Sequence, residues 1–312
     1  MAASFFKDAE RREEFLGTYA PFYLVLLLAV WVACLLLGWG LVFYGLRDHL
    51  HPAGLHFSDT LYYAGASLLT IGYGDITATT VVARMLSLVC GASGLAVVAV
   101  VISFLFSIFG GFQTREQFVV TIGARAGVPP SGVGFLEMHA YSGLRSDLAN
   151  VFREGQSWTA TVMETHLAYP TLMYFRSSHD YQSWVATLGT LLDAAALVVT
   201  TIDREDLHNK ENIGQASLMF EMGRHLVSDF ASYFSFMENE EDGGPGIEHS
   251  EFLQAVERLQ SAGYKTRDPD RAWNEFASLR SRYGRQLNAL ARWLEIPPVQ
   301  WVGDRSLISA PH

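Results

Sequence analysis

From Pro21 to Leu46 the chain runs without one charged side chain. A helix crosses the hydrocarbon core of a bilayer with about 20 apolar residues, so residues 21–46 predict a transmembrane helix. The run is too long for a signal peptide, and no small-residue cleavage site follows it. Residues 81–109 predict a second span, whose one charge, Arg84, lies near its start. Lipid offers the backbone no hydrogen bonds, so both runs are held to helical geometry. A non-helical stretch between them is confined to places where it is buried in protein or lines a water-filled cavity.

Between the spans lie a loop from Arg47 to Phe57 and a short stretch, residues 58–69. Ser58 or Asp59 is suited to cap a helix there. Leu61, Ala64, Gly65 and Leu68 share one face fit for close packing among spans. The predicted helix ends just before Thr70-Ile71-Gly72-Tyr73-Gly74-Asp75. Glycine adopts left-handed backbone at little steric cost, so Gly72 and Gly74 let successive carbonyls turn toward one axis while Ile71 and Tyr73 point away from it. Rings of such carbonyls, one strand from each of four chains, replace the hydration shell of a potassium ion. Thr70 adds a hydroxyl to the innermost ring, and Asp75 sets a carboxylate at the outer mouth. The C-terminal end of the short helix carries about half a negative charge, which lowers the cost of a cation at mid-membrane.

On these residues the segment 20–110 resembles the pore module of prokaryotic-type potassium channels with two membrane helices per subunit. The resemblance implies a homotetramer in membrane lipid, with one central pore conducting potassium passively. Thr70, Ile71, Gly72, Tyr73 and Gly74 are then the coordinating filter, with potassium as the only metal and no cofactor. It also implies a gating hinge at Gly94, twenty residues after Gly74, with Gly91 one turn earlier sharing it. The alternative for both is close helix packing, for which glycine is common in membranes. Gly110-Gly111 is read either as a second flexible point or as a plain linker. Some positions depart from the best-known pattern: Leu69 precedes Thr70, Ala66 stands where some relatives have a carboxylate, and Tyr62 and Tyr63 stand where tryptophans are common. Tyr62 is placed to donate a hydrogen bond toward Asp75.

Half of the 312 residues are hydrophobic, which fits a membrane part joined to a sizeable soluble part. The expected fold class is an all-α membrane protein: two transmembrane helices, a re-entrant pore helix and filter, and an all-α cytosolic C-terminal domain. The expected order is an interfacial segment (1–18) and a pore module (19–112). A linker (113–130) and a helical regulatory or assembly domain (131–312) follow. Within the module the elements are helix 21–46, pore helix 58–69, filter 70–75 and helix 81–109. Phe5, Phe6, Phe15 and Leu16, with charges between them, read as an interfacial helix or as a loose N-terminus. Lys7, Arg11, Arg12, Arg115 and Arg125 oppose Arg47 and Arg84 across the spans. The side richer in positive charge faces the cytoplasm, so the expectation is a multi-pass cell-membrane protein with both termini cytoplasmic. Cys34 and Cys90 both fall in apolar runs and read as thiols. The net charge of −10, of which −8 follows residue 110, argues against a nucleic-acid partner. An acidic domain below the pore instead gathers cations near its inner mouth.

After residue 112 the pattern predicts helices near 132–153, 157–175, 180–201, 212–237, 250–262 and 269–295. Asp268 and Pro269 suit the start of the last one, and Trp273, Phe276, Leu279, Tyr283, Leu287, Leu290 and Leu294 recur at the helical period. Residues 185–202 have the length of a third span, but Asp193 at their centre favours a buried core helix. In the acidic loop 238–246, taking Gly243 as the sixth position of a calcium loop puts His249 rather than a glutamate at the twelfth, so that motif fails in register. His166, Arg176, His179 and Asp180 fall close in sequence. They read as a pocket with Arg176 for an anion, as a proton-sensitive cluster, or as a polar surface between helices; the regulator implied is a small molecule or a proton. His49, His51 and His56 lie in the outer loop, where they either tune conductance with external pH or play no specific part.

Several classes are absent. No span carries arginines at every third position, so no voltage sensor is expected. Neither a Rossmann glycine motif nor a cyclic-nucleotide β-roll is indicated. No nucleophile–base signature stands out, so the chain is not expected to be an enzyme. The leading expectation is a potassium-selective tetrameric channel gated or assembled by its helical domain. The alternatives are a non-selective cation channel and a membrane-anchored sensor or scaffold with a vestigial pore.

Overall fold

The computed structural model describes residues 9–127, 129–177, 183–206, 210–235 and 246–296, with side chains from residue 25 onward. Among the described residues the fold is all-α apart from one two-stranded ribbon and an isolated bridge between Ile202 and Thr266, and the chain divides into two compact units between Gly110 and Gly111.

The first unit opens with α1 (Ala9–Gly45). The helix starts well before residue 21, so residues 9–18 continue into the span; residues 1–8 of the expected interfacial segment lie outside the described residues. Then come β1 (Leu50–His51), α2 (Phe57–Leu68), β2 (Thr77–Ala78) and α3 (Val81–Ala126). Val25–Gly45 and the first part of α3 are long and apolar enough to cross a membrane and leave most of their apolar side chains exposed, Leu41, Val82, Leu88, Leu95 and Phe106 among them. Helices apolar on all sides are suited to lipid, not water.

The helix α2 packs along α1, and Phe43, Tyr63, Ala64, Leu68, Ala83 and Cys90 form a small core around it. The cap differs from the sequence expectation. His56 is the N-cap residue, and Asp59, three residues on, accepts from its backbone N–H at 2.7 Å. Asp59 therefore acts as the acidic partner at the third helical position instead of as the cap itself. The ribbon pairs Leu50 with Ala78 and His51 with Thr77, tying the outer loop to the segment that follows Asp75.

The second unit takes up α3 from Gly111 and adds α4 (Gly132–Tyr141), α5 (Leu148–Ala168), α6 (Trp184–Thr200), α7 (Lys210–Phe234), α8 (His249–Ser261), α9 (Pro269–Ser281) and α10 (Gly284–Trp293). Residues 113–126, expected as a linker, are thus the last turns of α3. The helix α6 is the hub, packed by α4, α5, α7, α9 and α10 and buried at every position but Ala186 and Val199. The buried core-helix reading of this stretch holds: protein, not lipid, covers it.

Two expected helices are each divided. The stretch 132–153 breaks because Gly143 takes φ +69°, with Leu144 N–H donating to His139 C=O and Gly143 N–H to Ala140 C=O. This is the double-bonded helix end that a left-handed glycine permits. The stretch 269–295 breaks at Arg282–Tyr283, where the Tyr283 hydroxyl is drawn into the core to donate to Asp193. Asp193 also pairs with Arg280, and all three side chains are buried. The acidic loop considered as a calcium site lies, for residues 236–245, outside the described residues.

A buried ion pair stripped of one partner leaves an uncompensated charge, at a cost of about 3–5 kcal/mol. Arg280→Met should therefore lower the Tm of the helical unit in the full-length detergent-solubilised protein by roughly 10 °C. The double variant Asp193→Leu with Arg280→Met should recover more than half of that loss, measured by circular dichroism on heating.

Candidate pore site

The end of α2 positions the segment Thr70–Asp75. Leu69 N–H donates to Gly65 C=O at 2.9 Å, Thr70 N–H to Ser67 C=O at 3.1 Å, and Ile71 N–H to Ala66 C=O at 2.8 Å. Gly72 N–H shares the same Ala66 carbonyl at 3.2 Å. The helix thus closes with a residue in left-handed backbone, and that residue is Thr70, at φ +56°. A β-branched residue rarely adopts this conformation, and holding it there costs about 1–3 kcal/mol. Gly72 at φ +63° and Gly74 at φ +82° follow. Every second residue from 70 to 74 is left-handed, so the peptide planes alternate as the glycine spacing predicts. The third such position, Thr70, carries no sequence signal of its own.

The outer end of the segment is anchored to α2. The Tyr73 ring stacks on Tyr62 with centroids 6.3 Å apart and planes 6° from parallel, and the Tyr62 hydroxyl lies near the Asp75 carboxylate. Ile71, Tyr73 and Asp75 are all exposed on the single chain, Tyr73 at 70%. Beyond Asp75, Thr79 donates to the His49 carbonyl from both its N–H and its hydroxyl, at 3.0 and 2.8 Å. The outer-loop histidines have separate places: His49 in this contact, His51 opposite Thr77, His56 at the start of α2.

The helix α3 supports the segment from the other side. A Cβ on Gly94 would lie 1.8 Å from the Leu68 carbonyl oxygen, so only glycine lets α3 approach the end of α2 this closely. A Cβ on Gly91 would make ordinary contact with the Ser67 carbonyl at 3.4 Å. Close packing therefore accounts for Gly94, the expected hinge, and α3 runs through both glycines as one helix.

Of the four residues grouped as a regulatory cluster, two are described, His166 and Arg176, and they have separate partners. His179 and Asp180 lie outside the described residues. Arg176 donates to the carbonyls of Leu294 and Glu295, at 2.9 and 3.1 Å. His166 is fully buried between the Trp184 and Phe230 rings. Its Nδ1 donates to Val162 C=O at 2.8 Å and its Nε2 accepts from Arg115 Nη1 at 3.2 Å, a pattern that requires the neutral ring. Burial first, and the adjacent Arg115 guanidinium second, push its pKa down to about 3. His166 is thus no sensor of protons near neutrality, which corrects the reading of this histidine as titrating there. The residue that sequence reasoning missed is Arg115, counted there only as a charge beside a span. It is buried and bonded to Glu116, His166 and two backbone carbonyls.

The unfolded chain protonates His166 below about pH 6.5, and the folded chain does not until about pH 3. The stability that the neutral ring contributes is full above pH 6.5 and is lost as the pH falls from there toward 3. At pH 5 the loss is about 2 kcal/mol. His166→Gln should be less stable at pH 7 yet show a flatter decline between pH 7 and 5, measured by urea unfolding of the full chain.

Residues 29–110 match the family model described as "Ion channel". A Bacillus subtilis (strain 168) protein described as "Uncharacterized membrane protein YdjJ" is 20% identical over 206 residues, which cover 64% of this chain and 59% of that protein. The chain therefore spans about six-tenths of that relative's length. No solved structure matches. The match to an ion-channel family covers α1 from residue 29, α2, the whole Thr70–Asp75 segment and α3 as far as residue 110, so the likeness to a two-helix channel pore read from the sequence holds over that stretch.

Proposed function

We propose that the chain is a potassium-selective channel in which four copies surround one pore, with Thr70, Ile71, Gly72, Tyr73 and Gly74 coordinating the ion and Asp75 at the outer mouth. The observation that carries the reading is the left-handed backbone at residues 70, 72 and 74 inside a segment that matches an ion-channel family. That alternation is what a ladder of carbonyl oxygens needs, and such oxygens replace the water around a potassium ion. A cleft of about 480 Å³ beside the segment, lined by Tyr63, Ser67, Thr70, Arg84 and Ser87, is left open by the chain's own side chains. The excess of Lys7, Arg11, Arg12, Arg115 and Arg125 over Arg47 and Arg84 across the spans supports an orientation with both termini in the cytoplasm of a cell membrane. The helical unit then lies on the cytoplasmic side, where it gates the pore or holds the tetramer together.

Potassium flux from liposomes holding the purified protein, with little sodium flux, is the expected result; equal permeability would make it a non-selective cation channel, and no flux a vestigial pore. A side chain in left-handed backbone costs about 1–2 kcal/mol, repeated in four copies, so Gly72→Ala should abolish the preference for potassium while the assembly keeps its size on gel filtration.

Gly94→Ala places a methyl against the Leu68 carbonyl. It should displace the end of α2 and cut potassium flux by roughly tenfold or more, the equivalent of at least about 1.4 kcal/mol. Unchanged flux in this variant would show that α3 does not support the filter through this contact.

A further inference from the structure

From Gly111 on, α3 buries Gly111, Arg115, Glu116, Val119, Ile122, Gly123 and Ala126 in the second unit. Five of these are small or apolar; the exceptions are Arg115 and its neighbour Glu116, and Arg115 is 1% exposed. Its Nη1 donates to Leu172 C=O at 3.1 Å and to His166 Nε2 at 3.2 Å. Its Nη2 donates to Phe175 C=O at 2.6 Å, and its Nε to Glu116 Oε1 at 2.9 Å. The guanidinium also faces the Phe112 and Trp184 rings, at 5.2 and 5.9 Å. The backbone carbonyl of the same residue accepts from Trp158 Nε1 at 3.2 Å. One turn earlier, a Cβ on Gly111 would lie 3.1 Å from the Leu172 side chain.

An apolar stripe packs almost as well after a small slide or twist, because dispersion and burial have no direction. A planar fork with its hydrogens aimed at two fixed carbonyls and a ring nitrogen does not. Buried charged groups contribute less to stability than to selecting one arrangement among several, register being the best-attested case.

We propose that Arg115 is the register key of α3: its guanidinium fixes the rotation and axial position of the helix against Leu172–Phe175 and thereby sets how much of the time the pore conducts. The proposal rests on the channel reading for its second half only. Val81 to Ala126 is a single helix that continues from Arg115 back to residue 81. Arg115 is a positioning residue: it touches no ion, and its loss leaves the filter chemistry as it is.

The test uses the full chain in detergent and in liposomes, comparing the unsubstituted protein with Arg115→Lys and with Arg115→Met/Glu116→Gln. Lysine keeps the charge but cannot fork to two carbonyls. In both variants, amide hydrogen exchange across residues 112–119 should rise by about tenfold or more, while α6 and α7 keep their protection. The potassium flux rate should shift by roughly threefold or more, with the potassium-to-sodium ratio unchanged. Three results would overturn the proposal: unaltered exchange at 112–119; exchange rising equally through α6 and α7, which would make Arg115 a core residue only; or a wild-type flux rate in a variant whose local exchange has risen. Absence of flux in the unsubstituted protein would instead sink the channel reading and the conducting half of the proposal, while the exchange data would still decide the register half.

Discussion

A backbone amide or carbonyl at membrane depth finds no water, and leaving it unpaired costs several kcal/mol. The first unit is arranged around that fact at the point where α2 stops. Four amides beyond the helix return to three of its carbonyls, and the Ala66 oxygen accepts from two of them. The left-handed Thr70 is the conformation that allows this closure, so its strain is offset by bonds that an extended exit would forfeit. Everything after it inherits the direction. With Thr70 turned back, Gly72 and Gly74 alternate in step, and Tyr73 reaches Tyr62. The approach of α3 at Gly94 then closes the remaining side of the helix end.

The second unit meets a different constraint. Its helices have polar outer faces, and its core is a large apolar cluster centred on α6. Within such a core an ionised side chain survives only with its partners. Asp193 does so by pairing with Arg280 and accepting from Tyr283, and this shapes the chain as well as the charge balance, since it bends the sequence between α9 and α10. His166 survives burial by the opposite route, staying neutral so that it can accept from Arg115. Asp193 has a counter-charge close by; His166 is kept uncharged first by burial and second by the like charge of Arg115.

The parts legible in the sequence were those ruled by composition or by single-residue geometry. Two uninterrupted apolar runs announce α1 and α3; Gly72 and Gly74 announce left-handed backbone; Asp268 and Pro269 mark the start of α9, where the Asp268 side chain accepts from Arg271 N–H. Asp193 in an apolar run correctly argued for a protein-covered helix, although its partner lies 87 residues away in sequence and could not be named. The parts that were not legible depend on contacts remote in sequence. Thr70 takes a conformation its residue type disfavours because α2 must close. Tyr283 continues a helical period in the sequence, but its hydroxyl goes to Asp193 and ends the helix. Arg115 looks like a charge at a membrane boundary, and only the carbonyls of Leu172 and Phe175 reveal it as a core residue.

The change of surroundings along α3 is nevertheless written into its pattern. Between Arg84 and Arg115 the helix carries no charge and is apolar on nearly every side, so no period can be read there. Lipid imposes none, because it solvates all faces alike. From Gln113 polar residues return, and the buried positions gather at Arg115–Glu116, Val119, Ile122–Gly123 and Ala126, steps of three and four that mark a helix with one covered side. The onset of that periodicity falls within a few residues of the division between the two units at Gly110 and Gly111. A helix can therefore continue unbroken while the medium around it changes, and the place of the change is recorded by where a period begins, not by where the helix stops.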